Sequence, residues 1–322
     1  MLSDQKLGVG SQASEVSLGE AAPSTARHLV FVLLLIASVA AYWTPLRNLA
    51  SLSLQEEEYS HIILIPLMGL AVLYWEKKRA PLSLHSSLGV GAPVLLAGIT
   101  VNCLAVGYST RLSQDSYLFL RILSLVTLWI GGFILCYGTQ AFRARGFPLR
   151  FSLLMVPLPR FLMHKPIEVI QHGSANVASL FFKLAGVPVF RDGMRFSLPG
   201  LDMEVATQCS GIHSSLALFV LSLLLGHFYL KSGWKKTVLS LSVFPIISLT
   251  NGFRIFTVSW LSAYVDMSFM KGDLHRKGGV LFFLLGLMLL ACLVQLLRIG
   301  ERGKQNVAEP SGFMEVSVSS QQ

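Results

Sequence analysis

Charge is scarce in this sequence. Asp, Glu, Lys and Arg make up 13 % of the 322 residues, against the roughly 25 % typical of globular domains. Too little charge remains to coat a water-facing surface, which excludes an ordinary soluble domain. Cysteine is scarce as well: Cys103, Cys136, Cys209 and Cys292 are all there is. Their spacing matches no zinc pattern and no disulfide framework, and no metal or other cofactor is expected. Three of them lie in apolar segments, where a small, weakly polar residue is an ordinary packing choice. The first 27 residues hold no basic stretch leading into a short hydrophobic core, so a cleaved signal peptide is not expected.

What the sequence does have is long apolar runs. Apolar residues reach 53 % and mean hydropathy is +0.60. The formal charge of +9 comes from Lys and Arg placed as punctuation between those runs. That is how cytoplasmic loops are held on one side of a bilayer, so the expected partner is lipid and not nucleic acid. Candidate spans run over 29–46, 61–75, 88–107, 116–138, 151–158, 209–230, 237–260 and 279–297. The expectation is an all-α polytopic membrane protein with about eight transmembrane helices. A polar cytoplasmic segment, 1–28, would precede the membrane domain, 29–298, and a disordered cytoplasmic tail, 299–322, would follow it.

Four basic clusters set the orientation: Lys77 to Arg79 after Glu76; Arg143, Arg145 and Arg150; Lys231, Lys235 and Lys236; and Arg298, Arg302 and Lys304. Placing all four in the cytoplasm satisfies the positive-inside rule. Both termini then lie inside, and Glu56 to Glu58, residues 108–115 and residues 261–277 lie outside. One crossing is required between Arg150 and about Val187, with 166–184 in the outer interface or re-entering partway. Residues 187–208 are punctuated by Pro188, Gly193, Pro199 and Gly200, which predicts a short extended or hairpin-like outer segment leading into Cys209.

Three residues then fall at the same membrane face. Cys209 opens a helix in the run Gln208-Cys209-Ser210-Gly211-Ile212-His213. Unpaired backbone donors at a helix N-terminus stabilise a thiolate, the nucleophilic form; a packing residue beside a Ser-rich helix start is the alternative. Arg254 lies in Asn251-Gly252-Phe253-Arg254-Ile255 within an apolar span, roughly 27 Å up the helix from Lys236. It fits an oxyanion or carboxylate clamp, or an arginine snorkelling to headgroups. His275 stands just before the last span and can exchange a proton near neutral pH, or serve only as a solvated loop residue. His213, four residues after Cys209, is a second candidate base or a supporting group. Glu204, Ser210, Asn251 and Asp273 are candidate pocket or supporting residues.

At these residues the sequence resembles the exosortase/archaeosortase family of membrane transpeptidases. The matching pieces are Ala206-Thr207-Gln208-Cys209-Ser210-Gly211-Ile212, Asn251-Gly252-Phe253-Arg254-Ile255, and His275 followed by Gly279 and Phe283. Tyr59-Ser60-His61, Met155-Val156-Pro157-Leu158-Pro159 and Gly186-Val187-Pro188-Val189 extend the likeness over about 30 to 297. The resemblance implies a cysteine protease-like transpeptidase at the outer face of the cytoplasmic membrane. Its substrates would be membrane-tethered proteins with a C-terminal sorting signal, commonly Pro-Glu-Pro followed by a transmembrane helix and a basic tail. The acceptor would be a glycan, a lipid-linked group or water, in systems that accompany exopolysaccharide production. By position Cys209 would be the nucleophile, Arg254 the stabiliser of the oxyanion or substrate, and His275 the acid/base. The sequence ends soon after its last span, so the additional C-terminal periplasmic domain of some exosortases is not expected.

Two other classes compete. A transporter would explain many helices and use Arg254 as an anion site, but transporters place ligands near the midplane between repeated halves, and no repeat is visible. A scaffold in a polysaccharide-export assembly would need no reactive thiol.

Overall fold

A chain that buries apolar runs in lipid must satisfy its backbone internally, and helices do so within each segment. The computed structural model describes residues 24–76, 86–205, 212–271 and 273–307, with 24, 57, 212–214, 270, 271, 273–278 and 301–307 described by backbone alone. Among these residues the helices are α1 (Ser24–Ala41), α2 (Trp43–Gln55), α3 (Leu64–Glu76), α4 (Leu88–Gly107), α5 (Gln114–Arg145), α6 (Phe147–Phe151), α7 (Arg160–Leu184), α8 (Ile212–Tyr229), α9 (Gly233–Tyr264), α10 (Ser268–Lys271) and α11 (Asp273–Val307). Short 3₁₀ segments, Glu57–Ile63 and Ser152–Met155, lead into α3 and follow α6.

Among the described residues, five helical stretches are long and apolar enough to cross a bilayer: Glu58–Glu76, Leu88–Gly107, Gln114–Arg145, Gly233–Tyr264 and Gly279–Gly300. The pair α1–α2 makes a sixth if its 71° bend lies within one span. The expected count was about eight. Three segments account for the difference. Residues 151–158 form no span: α6 and a 3₁₀ turn end at Pro157-Leu158-Pro159, too short a run to cross. The first span breaks after Ala41 because Pro45 has no N–H to offer the Ala41 carbonyl and its ring crowds it. Among the described residues the apolar helix in α8 covers Ser215–Tyr229, and part of the expected span 209–230 lies outside them.

The segment 166–184, expected at the interface or re-entrant, belongs to the 25-residue helix α7, packed against α9. Its polar residues keep it below the hydropathy of a span, while Ala175, Ala178 and Phe182 are fully buried. The two helices run in the same direction. A Cβ at Gly173 would meet Ser248, and one at Gly252 would meet Val177 and the Ser174 carbonyl, and further along Phe181 packs on Phe253 and Phe256. Small residues permit that approach. Similarly, α4 and α5 lie antiparallel, with Gly91 on Leu135, Gly98 on Leu128 and Gly131 on Leu95. Within α5, Gly138 (φ 87°) kinks the helix in a conformation that L side chains rarely adopt.

The expected extended segment is a three-stranded antiparallel meander of β1 (Phe190–Asp192), β2 (Arg195–Leu198) and β3 (Leu201–Glu204). Asp192 pairs with Arg195 and Leu198 with Leu201, so each connection has two residues. Gly193 and Gly200 take positive φ there, and Pro199 before Gly200 fits a type II turn. Phe196 and Leu198 bury against Phe182 of α7 and Ile255 of α9. The meander is thereby anchored on those two helices.

The ends of α3, α8 and α11 and the starts of α6 and α9 gather at one end of the bundle. There the buried Glu76 carboxylate closing α3 meets His227 near the end of α8 at 2.8 Å, and Phe147 stacks on the His227 ring. Arg298 lies over Tyr229, and the Lys235 Nζ donates to the Leu297 carbonyl.

Candidate active site

The pentad Asn251-Gly252-Phe253-Arg254-Ile255 divides its labour around α9. Asn251 is 5 % exposed and its Nδ2 donates to Ser174 Oγ on α7 at 3.1 Å. Next to it, Gly252 has no room for a side chain, since a Cβ would fall 2.6 Å from the Val177 Cβ. Phe253 meets Phe181 of α7 and Phe282 of α11 edge-on. Arg254 is half-buried and lines a cavity, and Ile255 enters the core beneath the meander. One turn of sequence therefore ties α9 to α7, α11 and the sheet while aiming a cation into a gap.

That gap is small, about 20 Å³, and is lined by Leu218 of α8, Ile247, Thr250, Asn251 and Arg254 of α9, and Gly279, Phe282 and Phe283 of α11. A space of this size holds about one water molecule, so it is a mostly apolar notch with Thr250, Asn251 and Arg254 on its wall, and not a preformed ligand chamber. Two of the quoted sequence pieces, far apart in the chain, thus converge on it: Asn251 with Arg254, and Gly279 with Phe283.

The other expected residues are placed as follows. Cys209 and Ser210 lie outside the described residues. His213 is on the first turn of α8, which is described from Ile212 onward. His275, expected in a loop, is on the first turn of α11, which begins at Asp273. Gly279 follows four residues later and Phe283 four after that, so the three share a helix face, the face on which Gly279 and Phe283 line the cavity. Glu204 is not at the notch. It sits on β3, ion-paired with Arg195 at 3.6 Å, both side chains about two-thirds exposed, a pair worth little in water.

Sequence reasoning missed Ser174, Thr250, Leu218 and Phe282. Only Ser174 carried a signal, in the small-residue run Gly173-Ser174-Ala175, which marks a close helix approach. A second convergence is also visible only in three dimensions. Tyr59 Oη donates to the Leu158 carbonyl at 2.9 Å, and Tyr59 and Met155 share one core cluster. The Tyr59-Ser60-His61 and Met155-to-Pro159 pieces therefore lock each other. No cluster of His, Cys, Asp and Glu suited to a metal ion occurs among the described residues.

No match emerges among curated proteins or among solved structures. The family model described as transmembrane exosortase (Exosortase_EpsH) matches residues 53–292, about three quarters of the chain, spanning every piece quoted above. With five long apolar helices behind that match, the chain is a multi-pass membrane protein that belongs to the transmembrane exosortase family.

Proposed function

We propose that this protein is a cysteine-type transpeptidase of the cytoplasmic membrane that cleaves a Pro-Glu-Pro-type C-terminal sorting signal at the outer face. The observation that carries the reading is the notch itself, where Arg254 and Asn251 of α9 meet Gly279 and Phe283 of α11. His275 shares the latter face one turn earlier. The gathering of the basic helix ends at one end of the bundle supports an orientation with both termini inside.

In this scheme the Cys209 thiolate attacks the scissile carbonyl, and Arg254 offsets the charge that develops on its oxygen. The C–N bond then breaks. His275, as imidazolium, gives its proton to the departing amine, leaving a thioester and a neutral imidazole. An acceptor amine, hydroxyl or water attacks that thioester and loses its proton to His275, and the Cys209 thiolate is released. His213, Ser210 and Asp273 support the site around these groups. Asn251 holds α9 against α7, and Glu204 steadies the meander edge preceding Cys209. A substrate already tethered in the bilayer arrives oriented, which removes much of the entropic cost.

The test is the mass of a membrane-tethered candidate substrate carrying such a signal, co-expressed with the wild-type chain or with Cys209→Ala. The reading expects a truncated or acceptor-bearing product with the wild type and intact substrate with the variant. Equal processing by both would overturn it.

A further inference from the structure

Arg121 lies on α5, seven residues past Gln114 and so roughly 10 Å along a span, on an element unconnected with the notch. Its guanidinium carbon sits 4.8 Å from the centroid of the Tyr42 ring and 5.8 Å from that of Tyr117. Nη1 reaches Tyr117 Oη only at 3.5 Å, and the buried Nε makes no hydrogen bond among the described residues. No described carboxylate pairs with it; Asp115, in the first turn of the same helix, is engaged by Arg160. Aromatic faces attract a cation but give its five N–H donors few acceptors.

The surroundings are built and not accidental. Tyr42 is the residue at the 71° break between α1 and α2, buried, with Oη hydrogen-bonded to Ser124 Oγ one turn along α5 from Arg121. A helix break beside an intramembrane charge is a recurrent ligand-site arrangement. The register that sets Gly98 on Leu128, carried one and then two turns further, brings Asn102 level with Ser124 and Ala105 level with Arg121. The Asn102 Oδ1 is buried and likewise makes no hydrogen bond. Trp43, next to Tyr42, and Leu104 and Val106, on either side of Ala105, are exposed apolar residues, as expected of helix surfaces that face lipid.

We propose that Arg121, caged by Tyr42 and Tyr117, binds the phosphodiester of an anionic membrane lipid. Two unesterified phosphate oxygens match the fork of a guanidinium and supply both the missing charge and the missing acceptors. The site stands independently of the enzyme reading, because none of its residues belongs to the notch.

The test is the thermal shift of the full chain in a neutral detergent titrated with phosphatidylglycerol, with diacylglycerol, or with inorganic phosphate, alongside native mass spectrometry of retained lipid. Phosphatidylglycerol should stabilise the wild type and remain bound, while diacylglycerol and inorganic phosphate should not. Arg121→Gln should weaken lipid retention about tenfold, the scale of one charge-assisted hydrogen bond. Should that variant not fold, Tyr117→Leu keeps the arginine and should weaken retention several-fold by opening the cage. Equal retention by wild type and variants, or stabilisation by inorganic phosphate as strong as by the lipid, would overturn the proposal. So would displacement of the lipid by an acidic peptide, which would make the anion a protein carboxylate.

Discussion

Asn251 of α9 donates a hydrogen bond to Ser174 of α7, one turn before Arg254 lines the notch. The bond is buried between two helices whose backbones approach closely at Gly252, so it fixes both the rotation and the height of the α9 segment that carries the arginine. Losing one partner leaves the other without this hydrogen bond at a buried helix contact. Asn251→Leu should therefore destabilise the protein by about 1–3 kcal/mol, seen as a lower melting temperature. Ser174→Ala should cost less, because Asn251 has other interactions to fall back on.

Gly252 sets the spacing of the same helices. Adding one methyl group places it against the Val177 side chain and the Ser174 backbone carbonyl, and a backbone carbonyl does not step aside. Gly252→Ala should cost about 1–3 kcal/mol as overpacking, although alanine is the better helix former. A melting temperature equal to that of wild type would show that α7 and α9 are not in this contact.

At the opposite end, Glu76 and His227 join α3 to α8. Glu76 is 2 % exposed, and its second oxygen makes no hydrogen bond among the described residues. Replacing His227 by Leu strands that carboxyl group and should destabilise by about 3–5 kcal/mol. The double variant Glu76→Leu with His227→Leu should recover most of the loss, and a double-mutant cycle measures the coupling.

Arg254 should matter to chemistry more than to folding. Lysine keeps the charge and loses the planar fork. Arg254→Lys should lower the rate of substrate cleavage by roughly a hundredfold, the scale of removing one oxyanion donor. Its melting temperature should stay near that of wild type, since the side chain lines a gap instead of filling a core.

Much of this could be read from the sequence, for physical reasons that differ by element. The long spans were legible because runs such as Leu88–Gly107 and Gly279–Gly300 carry almost no charge. The meander was legible because Gly193, Pro199 and Gly200 leave few backbone options. The segment 151–158 was misread because apolar composition alone does not distinguish a short buried turn from a span. Helix α7 was hard to place because the middle of its buried face is made of the small residues Ser174, Ala175 and Ala178, which let a neighbouring backbone approach without forming an apolar run. Arg254 and Asn251 were legible as one face by their three-residue spacing, whereas Ser174 and Phe282 depend on tertiary contacts that spacing does not encode. His275 was expected in a loop because it stands before the apolar span 279–297, yet α11 starts at Asp273.

The central claim is that Cys209 becomes acylated with His275 as its proton carrier. The most direct measurement is mass analysis of the Cys209 peptide after rapid acid quench of the enzyme mixed with a sorting-signal substrate. The wild type should carry the thioester of the substrate's N-terminal fragment. His275→Ala should bind substrate and carry none, and His213→Gln should carry it at a reduced rate. Acylation of His275→Ala at the wild-type rate, with none in His213→Gln, would exchange the two histidines; no adduct on Cys209 in an enzyme that still cleaves its substrate would contradict the account.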